Sequence, residues 1–279
     1  MREVEHDGQH LDFQAIKMNE EEIKELRYAD DTALIFKTPD GLNHILQSVK
    51  NHNEEKDLYL NPSKTKIMAT DKCTDVPKLL VNNEELESVK TFVYLGAQIK
   101  KDGKITPEIR RRPAIAAGKL NKFQKLWKCQ TLVTKLRTLK ACIFPVATYG
   151  CESWTLTKCD MKKINAKCYR KILRIPWCDR VTNEEVLERV NIQKCQLMNI
   201  IRKLKLTYFG HVKRHNTLEK LCMEGMVEGK RDRGLPKRRW SDEVAEWLKT
   251  PATRAGATAQ DRRLFRSLVW KAMSSPDPP

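Results

Sequence analysis

Leu26-Arg27-Tyr28-Ala29-Asp30-Asp31-Thr32-Ala33-Leu34-Ile35-Phe36 is the stretch that most limits what this chain can fold into. Two adjacent aspartates with apolar residues on either side predict a tight β-hairpin that carries its charges at the turn. Adjacent carboxylates repel: two like charges about 4 Å apart cost about 1 kcal/mol in water and about 4 kcal/mol at an effective dielectric of about 20. Holding both ionised near an enclosed site therefore favours a bound cation. A hard, oxygen-seeking ion such as Mg²⁺ is the natural counter-charge, with waters or phosphate oxygens as its other ligands. The other reading is an ordinary Asp-rich turn, since Asp favours turns for reasons unconnected with metals. On these residues alone both stay open.

Charge bears on the partner. Lys and Arg number 53 against 36 Asp and Glu, a net charge of +17 with pI ≈ 9.5. Such a surplus points to nucleic acid, because Lys and Arg gain by releasing counterions from phosphates. At 279 residues the chain has room for one large or two modest domains. No apolar run approaches the length that crosses a bilayer, and Met1-Arg2-Glu3-Val4-Glu5-His6-Asp7 has no signal-peptide core. An intracellular protein, nuclear or cytoplasmic, is expected. The nine cysteines include no Cys-x-x-Cys pair, so they read as reduced, mostly buried thiols, and zinc held by Cys151, Cys159 and Cys168 would be unusual.

In chain order, Leu11 to Met18 and Ile23 to Arg27 flank Asn19-Glu20-Glu21-Glu22 as two strands and a turn. Asp40-Gly41 closes the strand after Phe36, and Leu42, Ile45, Leu46 and Val49 recur at helical spacing. Lys64 to Met68 reads as the next strand, and Val89 to Ile99 as a strand pair ended by Lys101-Asp102-Gly103-Lys104. After Thr106 the period becomes helical. Ala116, Leu120, Phe123 and Trp127 form one stripe, and Leu132, Leu136, Leu139, Ile143 and Val146 another. Met161, Ile164, Cys168, Ile172 and Ile175 form a third and Leu197, Ile201, Leu204 and Tyr208 a fourth, with Thr182-Asn183-Glu184-Glu185 as a capping box between them. The fold class is thus α+β. Arg170-Lys171 and Arg202-Lys203 fall on polar faces that are either solvated or laid along a duplex, and His211 and His215 read as surface residues.

Glu228 to Trp240 is the densest basic run, and Gly234 and Pro236 oppose helix there, so an extended arm is expected. Lys230, Arg231, Arg233, Lys237, Arg238 and Arg239 are its candidate nucleic-acid contacts, either as a phosphate-binding linker or as an arm in the minor groove of A·T-rich DNA. Beyond Trp247 a Thr/Ala-rich linker precedes a short amphipathic helix through Leu264, Leu268 and Val269, then a disordered tail.

Five separated motifs carry a resemblance. They are Tyr28-Ala29-Asp30-Asp31, then Leu58 to Met68, then Phe92-Val93-Tyr94-Leu95-Gly96, then Tyr149-Gly150-Cys151-Glu152-Ser153-Trp154-Thr155-Leu156, then Tyr208-Phe209-Gly210-His211-Val212. In this order they resemble the reverse transcriptase region of LINE-type (non-LTR) retrotransposon polyproteins, RTE-like most of all, in which an endonuclease precedes the polymerase. The resemblance implies a partial palm over 1–105, a helical thumb or connection over 106–225, and a basic arm, short helix and tail over 226–279. It implies that Asp30 and Asp31 hold Mg²⁺, that Lys64 serves the leaving pyrophosphate, and that Tyr28, Phe92, Tyr94 and Gly96 hold the primer. The implied partners are an RNA template, a DNA primer or target, and the missing N-terminal palm and fingers. A further metal-binding Asp is expected upstream of YADD, and Asp7 and Asp12 are poor substitutes, so a truncated RNA-directed DNA polymerase without independent catalysis is expected. The alternatives are a non-enzymatic nucleic-acid-binding protein or a transposon remnant. In related elements the position of Leu235 is often Arg, so one groove contact is absent. An interior proline forfeits a helical hydrogen bond, so Pro113 either sits in the first turn of a helix or marks a decayed copy.

Overall fold

The computed structural model describes residues 15–70, 78–103, 105–123, 127–128, 131–156, 169–170, 172–192, 196–226 and 238–274. The chain forms two compact units. One holds Met1–Gly96, Lys100–Gly103 and Glu224–Asp232, the other Ala97–Ile99, Lys104–Met223 and Arg233–Pro279.

The first unit is built from two-stranded sheets and one long helix. Strands β1 (Ile16–Met18) and β2 (Glu21–Ile23) pair antiparallel around Asn19, whose left-handed backbone suits Asn. β3 (Glu25–Tyr28) and β4 (Asp31–Leu34) form the predicted hairpin. Helix α1 (Pro39–Glu54) then corrects one expectation: Asp40-Gly41 does not close a strand but lies in the first helical turn. Thr38 is the reason, because its hydroxyl accepts from the Gly41 N–H at 3.3 Å and Pro39 starts the helix. β5 shrinks to Lys66–Ile67 and pairs parallel with β8 (Glu87–Ser88). Residues 61–64 before it are a turn held by Asn61, whose carbonyl accepts from Thr65 Oγ1 at 2.9 Å, so the strand cannot begin at Lys64. β6 (Leu80–Val81) and β7 (Glu84–Glu85) turn on Asn82-Asn83, both left-handed as a tight hairpin requires. Leu46, Ile67, Leu79, Val81 and Leu86 make this unit's small core. β9 (Thr91–Tyr94) is the last strand of this unit, and β10 (Ala97–Lys100) lies mostly in the second.

The second unit is helical. α2 (Thr106–Lys122) buries Ile109, Ala116 and Leu120 on one face. Pro113 neither opens nor ends it: the helix runs through, and packing of these residues outweighs the hydrogen bond that an interior proline forfeits. Trp127 follows the helix end, and its Nε1–H donates to the Leu120 carbonyl at 2.7 Å. α3 (Leu132–Thr138), a π-helical turn (Leu139–Ile143) and α4 (Phe144–Ala147) replace one uninterrupted helix, and Leu139, Ile143, Phe144 and Ala147 are buried. α5 (Asn183–Arg189) opens on Thr182 and Glu185 as the predicted capping box. α6 (Gln196–Arg214) and α7 (Leu218–Glu224) follow, then α8 (Trp240–Leu248), α9 (Ala252–Gln260) and α10 (Arg262–Ser274).

The Thr/Ala-rich stretch is α9 rather than a linker. Its small residues Ala255, Gly256 and Ala259 are buried, which lets α6 come close: a Cβ on Gly256 would stand 3.1 Å from Lys213 Cε. α10 is amphipathic as expected, with Leu268 and Val269 packed against the core beside the buried Phe265 and Ala272, but Leu264 faces solvent. Most of the third sequence stripe, and the tail, lie outside the described residues. The cysteine expectation is corrected too, since Cys151 is buried but Cys142, Cys178 and Cys222 are exposed among the described thiols. No described helix is long and apolar enough to cross a membrane.

Candidate functional site

Register fixes the geometry of the aspartate hairpin. Tyr28 pairs with Asp31, so Ala29 and Asp30 are the two turn residues and Asp31 opens β4. Ala29 takes the left-handed backbone, at φ 52°. Tyr28, Asp30 and Asp31 are all exposed, Tyr28 at 66% of its surface. Phe92 and Tyr94 are half-buried on β9, and Leu95-Gly96 is a turn with both residues at positive φ. The Tyr94 hydroxyl donates to the Leu26 carbonyl at 3.4 Å, joining this strand to the one that leads into the aspartates. These segments are 68 positions apart in sequence. Lys64 is exposed in its Asn61 turn, and its N–H donates to the Asn61 carbonyl at 3.2 Å. Among the described residues it forms no ion pair with either aspartate.

No group of three or more His, Cys, Asp or Glu gathers to hold an ion among the described residues. Asp30 and Asp31 supply hard oxygen ligands of the type Mg²⁺ takes, but two exposed carboxylates at one turn do not complete a catalytic ion site.

Residues 9–99 match the family described as reverse transcriptase (RNA-dependent DNA polymerase). The chain is also similar to a transposon-derived protein of Caenorhabditis elegans, 27% identical over 209 residues that cover 71% of this chain and 75% of that one. That alignment is more than twice as long as the reverse-transcriptase-like segment, so it extends well beyond it. No solved structure matches.

Outside the reverse-transcriptase-like segment, the basic candidates fare unevenly. Lys230, Arg231, Arg233 and Lys237 lie outside the described residues. Arg238 is ion-paired with Glu246, and the Arg239 N–H donates to Asp242 Oδ2 at 2.8 Å where α8 begins. Helix begins at Trp240, and the rest of the expected extended arm lies outside the described residues. Arg170 and Arg202 do not lie on a solvated face. Arg170 donates to the Val181 carbonyl and, at 3.2 Å, to Asn183, and Arg202 is buried with its guanidinium 5.4 Å from the centre of the Trp247 ring. Lys203 and both histidines are exposed, as expected.

The two motifs of the helical unit are packing devices. Cys151, Trp154 and Leu156 are buried in its core, and burial pushes the Cys151 thiol up to about 12. Lys205 and Glu243, both fully enclosed, form an ion pair at the centre. Lys205 also donates to the Trp154 carbonyl at 2.7 Å, and the Leu156 N–H donates to Glu243 Oε2 at 3.1 Å. Burial pushes the Lys205 ammonium down and the Glu243 carboxyl up, and their attraction opposes both shifts. Trp240 Nε1–H donates to the Glu152 carbonyl at 2.7 Å, and its ring stacks on Phe209. Gly210 leaves room for the Phe265 ring, since a Cβ there would stand 2.5 Å from it. The sequence reading missed Lys205 and Glu243. A signal existed: Lys205 lies four residues from both Ile201 and Phe209, on the apolar face of α6, and Glu243 stands between Trp240 and Trp247.

Proposed function

We propose that the chain is the palm and thumb portion of an RNA-directed DNA polymerase from a LINE-type, RTE-like retrotransposon, and that it binds nucleic acid without polymerising alone. The single observation that carries this reading is the Tyr94 to Leu26 hydrogen bond, which brings the primer-grip-like strand to the YADD hairpin. A template-primer end held by Phe92 and Tyr94 would then lie beside Tyr28 and the aspartates. Residues 1–105 serve as the palm portion, 106–225 as thumb or connection, and 226–279 as a basic C-terminal region. The +17 charge supplies the affinity for the phosphates of an RNA template and DNA primer. Phosphate contacts act one by one, so binding does not need a complete ion site.

The test is a pair of assays on the full chain. Anisotropy titrations across a salt series should show binding to an RNA–DNA template-primer with a steep salt slope. Asp30→Asn with Asp31→Asn should leave that affinity within a factor of about two, because neither carboxylate neutralises a phosphate. Primer extension with Mg²⁺ or Mn²⁺ should show no incorporation. Template-dependent incorporation lost in the double variant would overturn the second half of the proposal, and absence of nucleic-acid binding would overturn the first.

A further inference from the structure

We propose that the outward face of α10 is a stacking platform for single-stranded nucleic acid, with Trp270 as the ring that takes a base and Arg263 and Arg266 as its phosphate contacts. The proposal rests on the reading that nucleic acid is the partner, but it concerns a surface apart from the aspartate hairpin, the primer-grip-like strand and the basic run.

Helical spacing sets the face. Arg266 is one turn and Arg263 two turns before Trp270, so the three share one side of α10. The opposite side is committed: Phe265 and Ala272 are buried, and Leu268, Val269 and Met273 pack against the core. Trp270 is left 71% exposed. Tryptophan is highly buried on average, so a ring left this exposed calls for a partner.

Charge decides which partner. α10 carries Arg262, Arg263, Arg266 and Lys271 and no carboxylate. Asp261, just before it, has its Oδ1 turned to the backbone, accepting from the N–H groups of Arg263 at 2.7 Å and Leu264 at 3.1 Å. Among the described residues neither Arg263 nor Arg266 has an ion-pair partner. A second copy docked on this face would set these cations against their own counterparts, which is repulsive. A lipid surface would need a continuous apolar face, and that of α10 is spent on the core. An unpaired nucleotide offers both complements, a phosphate for the guanidinium groups and a free π-face for the indole. In a duplex the base faces are already stacked, so the ring selects single strands. RNA and DNA share this chemistry.

The experiment titrates the full chain with labelled oligo(dT), oligo(U) and a DNA duplex of equal length. Trp270→Ala should weaken both single strands about tenfold, a factor near the low end of base–aromatic stacking, while duplex affinity is unchanged. Trp270→Phe should keep most of the affinity. Arg263→Ala with Arg266→Ala should flatten the slope of log K against log salt by about 1.4 on single strands. Loss for oligo(U) alone would restrict the site to RNA and uphold it. Equal losses on duplex and single strands, or unchanged single-strand binding in Trp270→Ala, would overturn the platform while leaving the polymerase-derived reading intact. A wild-type dimer that Trp270→Ala turns into a monomer would mark the face as a contact between copies and also overturn it. A wild-type chain that binds none of the three probes would sink both readings.

Discussion

In the first unit Tyr28, Asp30 and Asp31 stand exposed at the end of a short strand pair, whereas in the second Cys151, Trp154 and Leu156 are enclosed in a deep core. Both sets belong to motifs of equal prominence in the sequence. The difference lies in what backs them. The hairpin rests on single two-stranded pairs and a core of Leu46, Ile67, Leu79, Val81 and Leu86, and two-stranded sheets are marginal on their own. The second unit packs several helices around Trp154, Phe209, Trp247 and Phe265. Equal prominence in sequence therefore goes with an exposed turn in one unit and a buried core in the other, and substitutions in the two should differ in kind.

The largest effect should come from the enclosed ion pair. Lys205→Met or Glu243→Gln each leaves a buried charge uncompensated, at a cost of about 3–5 kcal/mol. Lys205→Met combined with Glu243→Leu should recover much of that loss, since a buried pair can be replaced by apolar groups at little cost. Urea denaturation of the full chain measures all three. Single variants as stable as the wild type would mean that the core admits water and that the contrast between units is overstated.

A second buried charge tests the same unit by pH. Burial alone would raise the Glu108 carboxyl, but hydrogen bonds from Arg112, the Gln98 N–H and Arg111 outweigh it and hold the group below its ordinary range. A depressed carboxylate stabilises the fold above its unfolded value, near 4.5, and that contribution fades as pH falls through the lower folded value. Glu108→Gln should cost about 2 kcal/mol at pH 7. The difference from wild type should shrink on acidification. A gap independent of pH down to the acid limb would show that the loss is one of packing rather than charge.

Gly210→Ala sets two effects against each other. Alanine gains about 1 kcal/mol in helix propensity, but its Cβ would press into the Phe265 ring, and such overpacking costs about 1–3 kcal/mol. The net should be a loss of about 1 kcal/mol in thermal unfolding. Phe265→Leu in the same chain should reverse part of it. Stabilisation by Gly210→Ala alone would mean that the ring yields freely.

What was legible in the sequence follows the same divide. The aspartate hairpin and the capping box at Thr182 follow from local pattern, and so does the helical period of α1 and α6, although α1 begins at Pro39 and the buried face of α6 runs through Lys205 and Phe209 while Leu204 and Tyr208 are half-buried. Pro113 was not legible, because local chemistry opposes a helix that tertiary packing sustains. Nor was α9, whose Ala and Thr residues look like a linker until the close approach of α6 explains their size. Arg202 misled for a related reason: a guanidinium beside a lysine looks solvated, and only the Trp247 ring across the core makes its burial sensible. For the aspartates the sequence located the turn, while the question of ligands beyond Asp30 and Asp31 depends on residues that local pattern does not bring together.

The smallest effect lies back in the hairpin. Ala29 holds a left-handed backbone that costs an alanine about 1 kcal/mol, and glycine adopts it without that penalty. Glycine also widens the unfolded ensemble, which takes back about 0.4–1 kcal/mol. Ala29→Gly should therefore stabilise the strand pair by no more than about 0.5 kcal/mol. A gain so small would be lost in global unfolding, which the second unit dominates. Amide hydrogen exchange can resolve it, because local openings report on each element separately. Amides of β3 and β4 should exchange about twofold more slowly in the variant, and those of α6 and α10 should not change. Faster exchange in the hairpin would mean that the turn is held by contacts alanine makes and glycine cannot. Slowing that spread to α6 would show that the two units open together, and the contrast between an exposed, thinly backed hairpin and a deeply packed helical core would then fail.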